Sequence, residues 1–365
     1  MASQTMQCRR SAFHPDDKPS DLEAMRTAYL AMRQDYGERA LALCGEFSPD
    51  VMRRALGEGL IPVIESMTEG ANELYLDPVF GTWANFTNRA VSRGAPNEIR
   101  FHCNKIDQVI ARVKTRVSGE EPYYIPNTSI ALQQNDIDPY VMAATPPSYD
   151  FVAMLSSGQG TNGHGHPLPM QQDLLGIAID NIDKTWPELK AQIEDMVKIV
   201  GYLPDATFRS CSAARYAGVV YLGNMDERVL DVEESLVHEA GHQVLYRLGN
   251  LTPLVREGTP QTAGYTLPWS GSQRDLFGFL HAFYIYTLLT KYFWRRARLN
   301  AHELTDCMQR AVLILIGSRL ALPTLLNDSN LTAQGRALVE VLATNLDSLQ
   351  NEIEGTYGKA IDLHD

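Results

Sequence analysis

The segment HEAGH at residues 238–242 constrains this chain more than any other feature of its sequence. His238 and His242 are four positions apart, so on a helix both imidazoles project from one face and come within reach of one ion. The pattern fixes only three residue types, and by itself it also arises by chance on ordinary core helices. The segments around it therefore decide how it is interpreted.

The residues that flank the pattern predict a well-formed amphipathic helix. Asp231 is suited to an N-cap, and Glu234 follows three positions later, as in a capping box. Gly249 is followed by an asparagine, which predicts a left-handed stop after about residue 248. Gly241 leaves room for another element to approach closely. A helix of this kind favours metal binding over a chance match.

The third metal ligand decides the chemistry, and the sequence offers two candidates. Glu257 stands in a predicted loop, whereas His281 is a single histidine in a strongly apolar predicted helix. In a zinc peptidase either residue completes the site, and Glu239 acts as the general base toward a metal-bound water. His281 also fits a core histidine whose hydrogen bonds are satisfied. The need for a third donor from a neighbouring buried helix favours its role as a ligand.

A second chemistry fits the same two histidines. Non-haem iron(II) oxygenases use two histidines and one further donor, and their open positions take a chelating 2-oxoacid and dioxygen. Such an enzyme needs a cation for the far carboxylate of 2-oxoglutarate, and the planar fork of an arginine suits that task best. Arg274 precedes His281 by seven positions, so it is expected near the mouth of the same site. A surface arginine in a salt bridge is the alternative interpretation.

Charge and composition exclude several classes of function. The formal net charge is −12 at pH 7, whereas non-specific nucleic-acid binding requires a basic face. No uninterrupted apolar run reaches the roughly 20 residues that cross a bilayer, and the first residues lack the apolar stretch of a secretory signal. The five cysteines are scattered without a CxxC pair and are expected to be reduced thiols. These observations predict a cytoplasmic protein without nucleic-acid or membrane partners.

The apolar pattern predicts an α+β fold that is predominantly helical, with a small sheet preceding the HExxH metal-binding helix. Residues 1–150 are expected to form a mainly helical N-terminal region, and residues 151–365 the metal-binding catalytic region, packed as one continuous globular unit. Residues 171–204 are predicted to be helical, and residues 213–224 to contain a strand. His164-Gly165-His166 lies in a glycine-rich predicted loop, where it fits a metal-ligand pair, an active-site lid or a plain turn.

Three separated segments of the chain resemble HExxH-motif proteins from bacterial peptide and natural-product gene clusters. The first segment is SCSAARYAGVVYLGNMDERVLDVEESLVHEAGHQVLY, at residues 210–246, which combines a serine-containing turn, a strand and the HExxH helix. The second is LPWSGSQRDLFGFLHAFYIYTLLTKYFWRRA, at residues 267–297, and the third and weakest is LYLDPVFGTWANFTNRAV, at residues 74–91. The coupling of HExxH to PWxxxxRxLxGxLH makes this resemblance more specific than HExxH alone.

The family that the chain resembles consists of iron hydroxylases that depend on 2-oxoglutarate. The resemblance implies that the iron(II) ligands are His238, His242 and His281. It further implies that Arg274 anchors the co-substrate, and that Trp269 and Ser212 line the pocket. The Ala-Gly pair inside the HExxH pattern departs from the family's usual sequence and is also used by peptidases, and no fused peptide-recognition domain is recognisable. These departures bear on which substrate the enzyme uses more than on which reaction it catalyses.

Glu239 follows His238 directly, inside the HExxH pattern. One position along a helix is a rotation of about 100°, so Glu239 cannot easily ligate the same ion. It is the base in a peptidase. In an oxygenase it could orient a ligand, bind the amine of the substrate or hold a water, and the sequence leaves these three roles open.

The sequence thus predicts an Fe(II)- and 2-oxoglutarate-dependent oxygenase of a biosynthetic pathway. It is expected to hydroxylate an amino-acid unit at an unactivated carbon such as Cβ, and the unit is free, carrier-bound or part of a peptide. The main alternative is the zinc metallopeptidase described above. The third interpretation is a metal-stabilised binding protein, which predicts a coordinatively closed metal and no turnover of an oxoacid.

Overall fold

The structure, a computed structural model, describes residues 11–54, 71–121, 123–133, 168–202, 209–223, 228–299 and 303–357. Helices predominate among these residues, and the strands form one small mixed sheet and one two-stranded hairpin. The predicted class, a predominantly helical α+β fold with a small sheet before the HExxH helix, is confirmed.

The elements are numbered along the described chain. The helices are α1 (Pro19–Phe47), α2 (Pro49–Arg54), α3 (Ala71–Leu76), α4 (Pro78–Ser92), α5 (Pro96–Asn104), α6 (Ile106–Val117), α7 (Leu168–Thr185), α8 (Pro187–Met196), α9 (Val229–Leu251), α10 (Leu276–Ala297), α11 (Leu304–Asn327) and α12 (Ala333–Tyr357). The strands are β1 (Ala131–Leu132), β2 (Ile199–Tyr202), β3 (Ser210–Cys211), β4 (Val219–Leu222), β5 (Tyr265–Thr266) and β6 (Gln273–Arg274).

The chain forms two compact units, each made of separate stretches of sequence. The helical unit consists of the described parts of Met1–Met25, Ile179–Ile193 and Leu236–Asp365. The sheet unit consists of the described parts of Arg26–Ala178 and Glu194–Ser235. The predicted boundary at residue 150 falls in a stretch outside the described residues.

The sheet unit contains the four-stranded sheet, in the order β1-β2-β4-β3. β1, β2 and β4 run parallel, and β3 pairs antiparallel with β4. Every residue of β2 and β4 is buried, as expected for parallel strands covered on both faces. The strand predicted within residues 213–224 is confirmed as β4, although Ala214–Tyr216 before it forms a 3-10 turn. The helix predicted for residues 171–204 is wrong at its end, because β2 occupies residues 199–202.

A local cap and a buried ion pair fix the start of α4 in the sheet unit. Asp77 Oδ1 accepts hydrogen bonds from the backbone N–H groups of Val79 and Phe80, at 2.8 and 3.0 Å, and Pro78 takes the first helical position. The same carboxylate accepts two hydrogen bonds from Arg116, from Nε at 2.8 Å and from Nη2 at 2.9 Å. Asp77 and Pro78 therefore determine where α4 begins.

In the helical unit, α10 is almost entirely buried and packs against α11 and α12. Among the described residues, α11 is the one helix long and apolar enough to span a membrane. It packs against α10 and α12 and also carries two exposed leucines, Leu313 and Leu320. Arg319 interrupts the apolar residues of this helix, so it contains no long unbroken apolar run.

The chain before α1 docks into the helical unit. Phe13 is fully buried, and its carbonyl oxygen accepts a hydrogen bond from Gln192 Nε2 at 2.9 Å. The next residue, His14, is also buried and meets the ring of Tyr284 edge-on, with 5.0 Å between the ring centroids. Asp16 forms ion pairs with two cations of α10, Lys291 and Arg295.

Candidate metal centre

Helices α9 and α10 bring together the three histidines that the sequence nominates. The rings of His238 and His242 lie 4.9 Å apart between centroids, as their spacing along one helix predicts. The ring of His281, on α10, lies 5.3 Å from that of His242, and the two Nδ1 atoms are 3.0 Å apart. The imidazoles of His242 and His281, from two helices, therefore lie side by side in the helical unit, and that of His238 lies next to His242.

Glycines of α9 allow α10 and its side chains to approach the site. A Cβ atom at Gly241 would lie 3.2 Å from Cγ1 of Ile285 and 3.5 Å from Cδ2 of Leu288, so the close neighbour predicted at Gly241 is α10. Gly249 faces the ring of Phe277 in the same way, at 3.9 Å. The predicted left-handed stop at Gly249 is wrong, because α9 continues to Leu251 and Gly249 does not have a positive φ.

Burial keeps two of the histidines neutral. His281 is 3% exposed, and burial lowers its pKa to about 3. Burial also holds the pKa of His242 well below its usual value, and the neighbouring His238 and His281 lower it further. Only a neutral imidazole offers a lone pair to a metal ion. Both residues are therefore in the protonation state that coordination requires at neutral pH.

The spacing of two imidazole nitrogens matches the spacing that a metal ion needs. Two nitrogens held at about 2.1 Å from one ion and at right angles to each other lie about 3.0 Å apart, and the Nδ1 atoms of His242 and His281 have this separation. His281 Nε2 is buried and has no hydrogen-bond partner among the described residues. Within the same residues, no three His, Cys, Asp or Glu side chains form a complete metal-binding group. The histidine pair fits an ion in type and spacing, and His238 adds a third imidazole one turn earlier.

The two glutamates considered for the site lie in contrasting environments. Glu257 is exposed in a turn after α9. Glu239 is 2% exposed, on the helix face that also carries the buried side chains of Gln243 and Arg247. Glu239, Gln243 and Arg247 are each four positions apart, so they form one stripe along the helix. This stripe lies next to the one formed by His238 and His242. The geometry therefore favours His281 over Glu257 as the third donor.

Arg274 lies at the end of the hairpin formed by β5 and β6, just before α10. Its side chain is exposed, and its Nη1 donates a hydrogen bond to the carbonyl oxygen of Gln273 at 2.9 Å. Its aliphatic part packs on Gly278, which precedes His281 by three residues. No carboxylate pairs with this guanidinium among the described residues, so the alternative interpretation as a salt-bridge arginine has no partner there.

Trp269 occupies the turn of the same hairpin and packs on the metal-site helices. Its indole stacks on the ring of Tyr286, with 4.3 Å between centroids, and Tyr286 in turn lies 5.9 Å from His238. The indole Nε1 donates a hydrogen bond to the carbonyl oxygen of Ile314 at 3.0 Å. A Cβ atom at Gly317 would overlap the indole, so the ring lies directly on the backbone of α11. This packing commits the indole N–H group to the protein.

The remaining predicted residues lie elsewhere. Ser212 is buried and belongs to the sheet unit, directly after β3. His164 and His166 lie outside the described residues. Their predicted roles stay predictions.

Three aromatic residues around the histidines were not nominated as site residues from the sequence. The ring of Tyr246 lies 5.9 Å from His242 and 5.1 Å from His281. Phe277 lies 4.2 Å from His281, and Tyr286 contacts His238 as described above. Tyr246 follows His242 by four positions and Phe277 precedes His281 by four, which is the spacing of neighbours on a helix face. That spacing is the sequence signal that could have indicated Tyr246 and Phe277 as neighbours of the histidines.

Comparisons with known proteins add no assignment. Neither the family models nor the curated proteins that were searched match this chain. The side chains of the candidate metal centre and the resemblance of its motifs are therefore what bears on the function.

Proposed function

We propose that this protein is a non-haem iron(II) oxygenase that uses 2-oxoglutarate to hydroxylate an amino-acid unit. The observation that carries the proposal is the contact between His242 and His281, whose neutral imidazoles come from two helices and lie 3.0 Å apart at Nδ1. We take His238 as the third donor from the resemblance of the HExxH segment, and a set of three histidines would leave coordination positions for a chelating 2-oxoacid and dioxygen. The resemblance of the HExxH and PWxxxxRxLxGxLH segments supports the same chemistry.

Under this proposal the residues of the chain have separate tasks. Iron(II) bound by the three histidines supplies the oxidation in which 2-oxoglutarate and dioxygen are consumed. Arg274 binds the far carboxylate of 2-oxoglutarate, since its guanidinium is exposed and has no carboxylate partner among the described residues. The rings of Phe277 and Tyr246 shield His281 from water.

The zinc peptidase is less well supported by the same geometry. A general base must reach the water from which it takes a proton. Glu239 is 2% exposed on the stripe beside that of the histidines, and Glu257 lies exposed in a turn. Glu257 is therefore poorly placed as the third ligand of a peptidase, and hydrolysis with Glu239 as the base is tested by the experiment below. A metal-stabilised binding protein stays an outcome of the experiment below.

The deciding experiment is anaerobic reconstitution with iron(II), followed by exposure to air with 2-oxoglutarate and measurement of succinate. We expect succinate to form, and we expect His281→Ala to abolish both iron binding and turnover. Hydrolysis of a peptide with zinc and without 2-oxoglutarate would support the peptidase instead. A bound metal with neither activity would support the binding protein.

The role of Arg274 has its own matched control. Loss of a charge-assisted hydrogen-bond pair costs about 1.5–3 kcal/mol, so Arg274→Ala is expected to raise the required 2-oxoglutarate concentration by roughly 10- to 100-fold. Arg256→Ala removes another exposed arginine of the helical unit and should leave that requirement unchanged. An equal effect of the two substitutions would show that Arg274 has no specific contact with the co-substrate.

The proposed setting is a soluble, cytoplasmic enzyme of a biosynthetic pathway. The net charge of −12 supports a small-molecule or peptide substrate over a nucleic acid. The amino-acid unit is free, carrier-bound or part of a peptide, and hydroxylation is expected at Cβ. Mass spectrometry of candidate substrates after turnover would identify an added oxygen atom and its position.

A further inference from the structure

The imidazole of His281 lacks the contact that usually orients a metal-binding histidine. In most metal sites the ring nitrogen that does not bind the ion donates a hydrogen bond to a carboxylate, a carbonyl or a water, and this contact fixes the ring. In His281 the Nδ1 atom faces His242, and the Nε2 atom is buried without a hydrogen-bond partner among the described residues. Beyond the contact with His242, packing by neighbouring side chains is therefore what can hold the plane of this ring.

Aromatic rings on α9 and α10 surround the imidazole of His281. The ring of Phe277 lies 4.2 Å away at an interplanar angle of 52°, and that of Tyr246 lies 5.1 Å away at 39°. Aromatic rings in contact prefer defined relative orientations and attract each other beyond simple burial. Both residues are one helical turn from a histidine of the site, Phe277 from His281 and Tyr246 from His242.

Phe277 is not a core residue in the ordinary sense. Its side chain is 36% exposed, whereas the neighbouring Phe279 and Leu280 are buried. The absence of a side chain at Gly249 lets the ring lie against α9, where a Cβ atom would stand 3.9 Å from it. A large apolar side chain that stays partly in solvent gains less free energy from burial. Burial alone therefore does not account for the contact of Phe277 with His281.

We propose that Phe277 and Tyr246 are positioning residues, which hold the imidazole of His281 in its metal-binding orientation by ring packing in place of a hydrogen bond. The inference rests on the proposed function, because it treats His281 as a metal ligand. It assigns the effect of Tyr246 to its ring, since Nδ1 of His281 contacts His242 and Nε2 has no hydrogen-bond partner among the described residues, so neither nitrogen is bonded to the phenol hydroxyl. Without the two rings, the imidazole can rotate away from the position facing His242.

Substitutions separate the ring from the hydroxyl and from general packing. Phe277→Leu and Tyr246→Leu remove a ring, whereas Tyr246→Phe keeps the ring and removes the hydroxyl. Phe101→Leu is the matched control, because Phe101 is also 36% exposed and lies in the sheet unit. Thermal unfolding of each variant checks that it is folded.

Two measurements on the full chain then test the proposal. Cobalt(II) titration, followed by absorption, measures metal affinity independently of turnover, and NMR of the nitrogen-labelled imidazoles in metal-free protein reports the order of the His281 ring. Each leucine variant is expected to bind cobalt(II) about tenfold more weakly, the lower end of the loss seen when an orienting contact is removed from a metal ligand. It should also broaden or double the His281 ring signals. Tyr246→Phe and Phe101→Leu should match the unsubstituted protein.

The outcomes distinguish this inference from the proposed function. Unchanged cobalt(II) affinity and unchanged ring signals in both leucine variants would overturn the inference, and so would a loss in Tyr246→Phe as large as in Tyr246→Leu. Cobalt(II) binding with the expected losses but without 2-oxoglutarate turnover would support the inference and reject the oxygenase. If the unsubstituted protein binds no cobalt(II), the assignment of His281 as a metal ligand fails, and the inference fails with it.

Discussion

Replacing His14 with phenylalanine tests what an unpaired imidazole costs the helical unit. The His14 side chain is 1% exposed, and neither ring nitrogen has a hydrogen-bond partner among the described residues. The ring meets Tyr284 edge-on at an interplanar angle of 72°, a contact that a phenyl ring can keep. A buried polar group without a partner costs about 1–3 kcal/mol. His14→Phe is therefore expected to raise the free energy of unfolding by about that amount at pH 7.5.

The difference in the free energy of unfolding between His14→Phe and the unsubstituted protein should grow in mild acid. Burial, together with the smaller effect of the charge of Lys291, lowers the pKa of His14 from its ordinary value of 6.5 to about 3. Because the folded pKa is the lower one, this stability is fully present above pH 6.5 and is lost as the pH falls toward 3. The slope is about 1.4 kcal/mol per pH unit, which gives a loss of about 2 kcal/mol at pH 5. The phenylalanine variant lacks this loss.

Urea unfolding at pH 7.5, 6 and 5 measures both effects. Tyr284→Phe is the control, because it removes a hydroxyl 3.4 Å from the carbonyl oxygen of Phe13 and leaves His14 to titrate. Its curve should stay parallel to that of the unsubstituted protein, whereas the His14→Phe curve should diverge below pH 6.5. Parallel curves for His14→Phe would refute the reasoning about protonation. A destabilisation of several kcal/mol at pH 7.5 would show that the ring nitrogens make hydrogen bonds in solution.

Two further substitutions test the packing described above. Gly241→Ala should weaken cobalt(II) binding, because the added Cβ atom would lie 3.2 Å from Cγ1 of Ile285 and push α10 away from α9. Gly249→Ala is the matched control, because its Cβ atom would lie 3.9 Å from the ring of Phe277, an ordinary contact distance. It should preserve the cobalt(II) affinity and stabilise the helix by about 0.5–1 kcal/mol in thermal unfolding. Asp77→Ala should cost about 3–5 kcal/mol in urea unfolding, since it leaves Arg116 as a buried unpaired charge. Adding Arg116→Met should recover much of this loss, and a double variant as unstable as the single one would contradict that explanation.

Local features of the fold could be predicted from the sequence because their causes are local. The cap and proline at Asp77 and Pro78 act within one turn, so the start of α4 follows from neighbouring residues. The i,i+4 spacing likewise places His238 and His242 on one face wherever α9 packs. Features that depend on distant partners were less predictable. Residues 199–202 have an apolar pattern that suits a helix or a strand, and the decision is made by β1 and β4.

The candidate site shows the same division between local and distant causes. Gly249 is a common signal for a helix end, but Phe277 lies against it and the helix continues. His281 could be nominated as a ligand, yet its separation from His242 depends on how α9 and α10 pack. The sequence shows that Tyr246 and Phe277 are each four positions from a histidine. Only the packing of α9 against α10 shows that both rings contact His281.

The indole of Trp269 has a consequence for how this chain can evolve. It occupies the volume that any side chain at position 317 would need, so Gly317 can gain a side chain only if Trp269 is lost or moved. A smaller residue at 269 would in turn leave a hole over the bare backbone of α11. The two positions are expected to vary together in descendants of a common ancestor, which makes the pair a marker for tracing distant homologues.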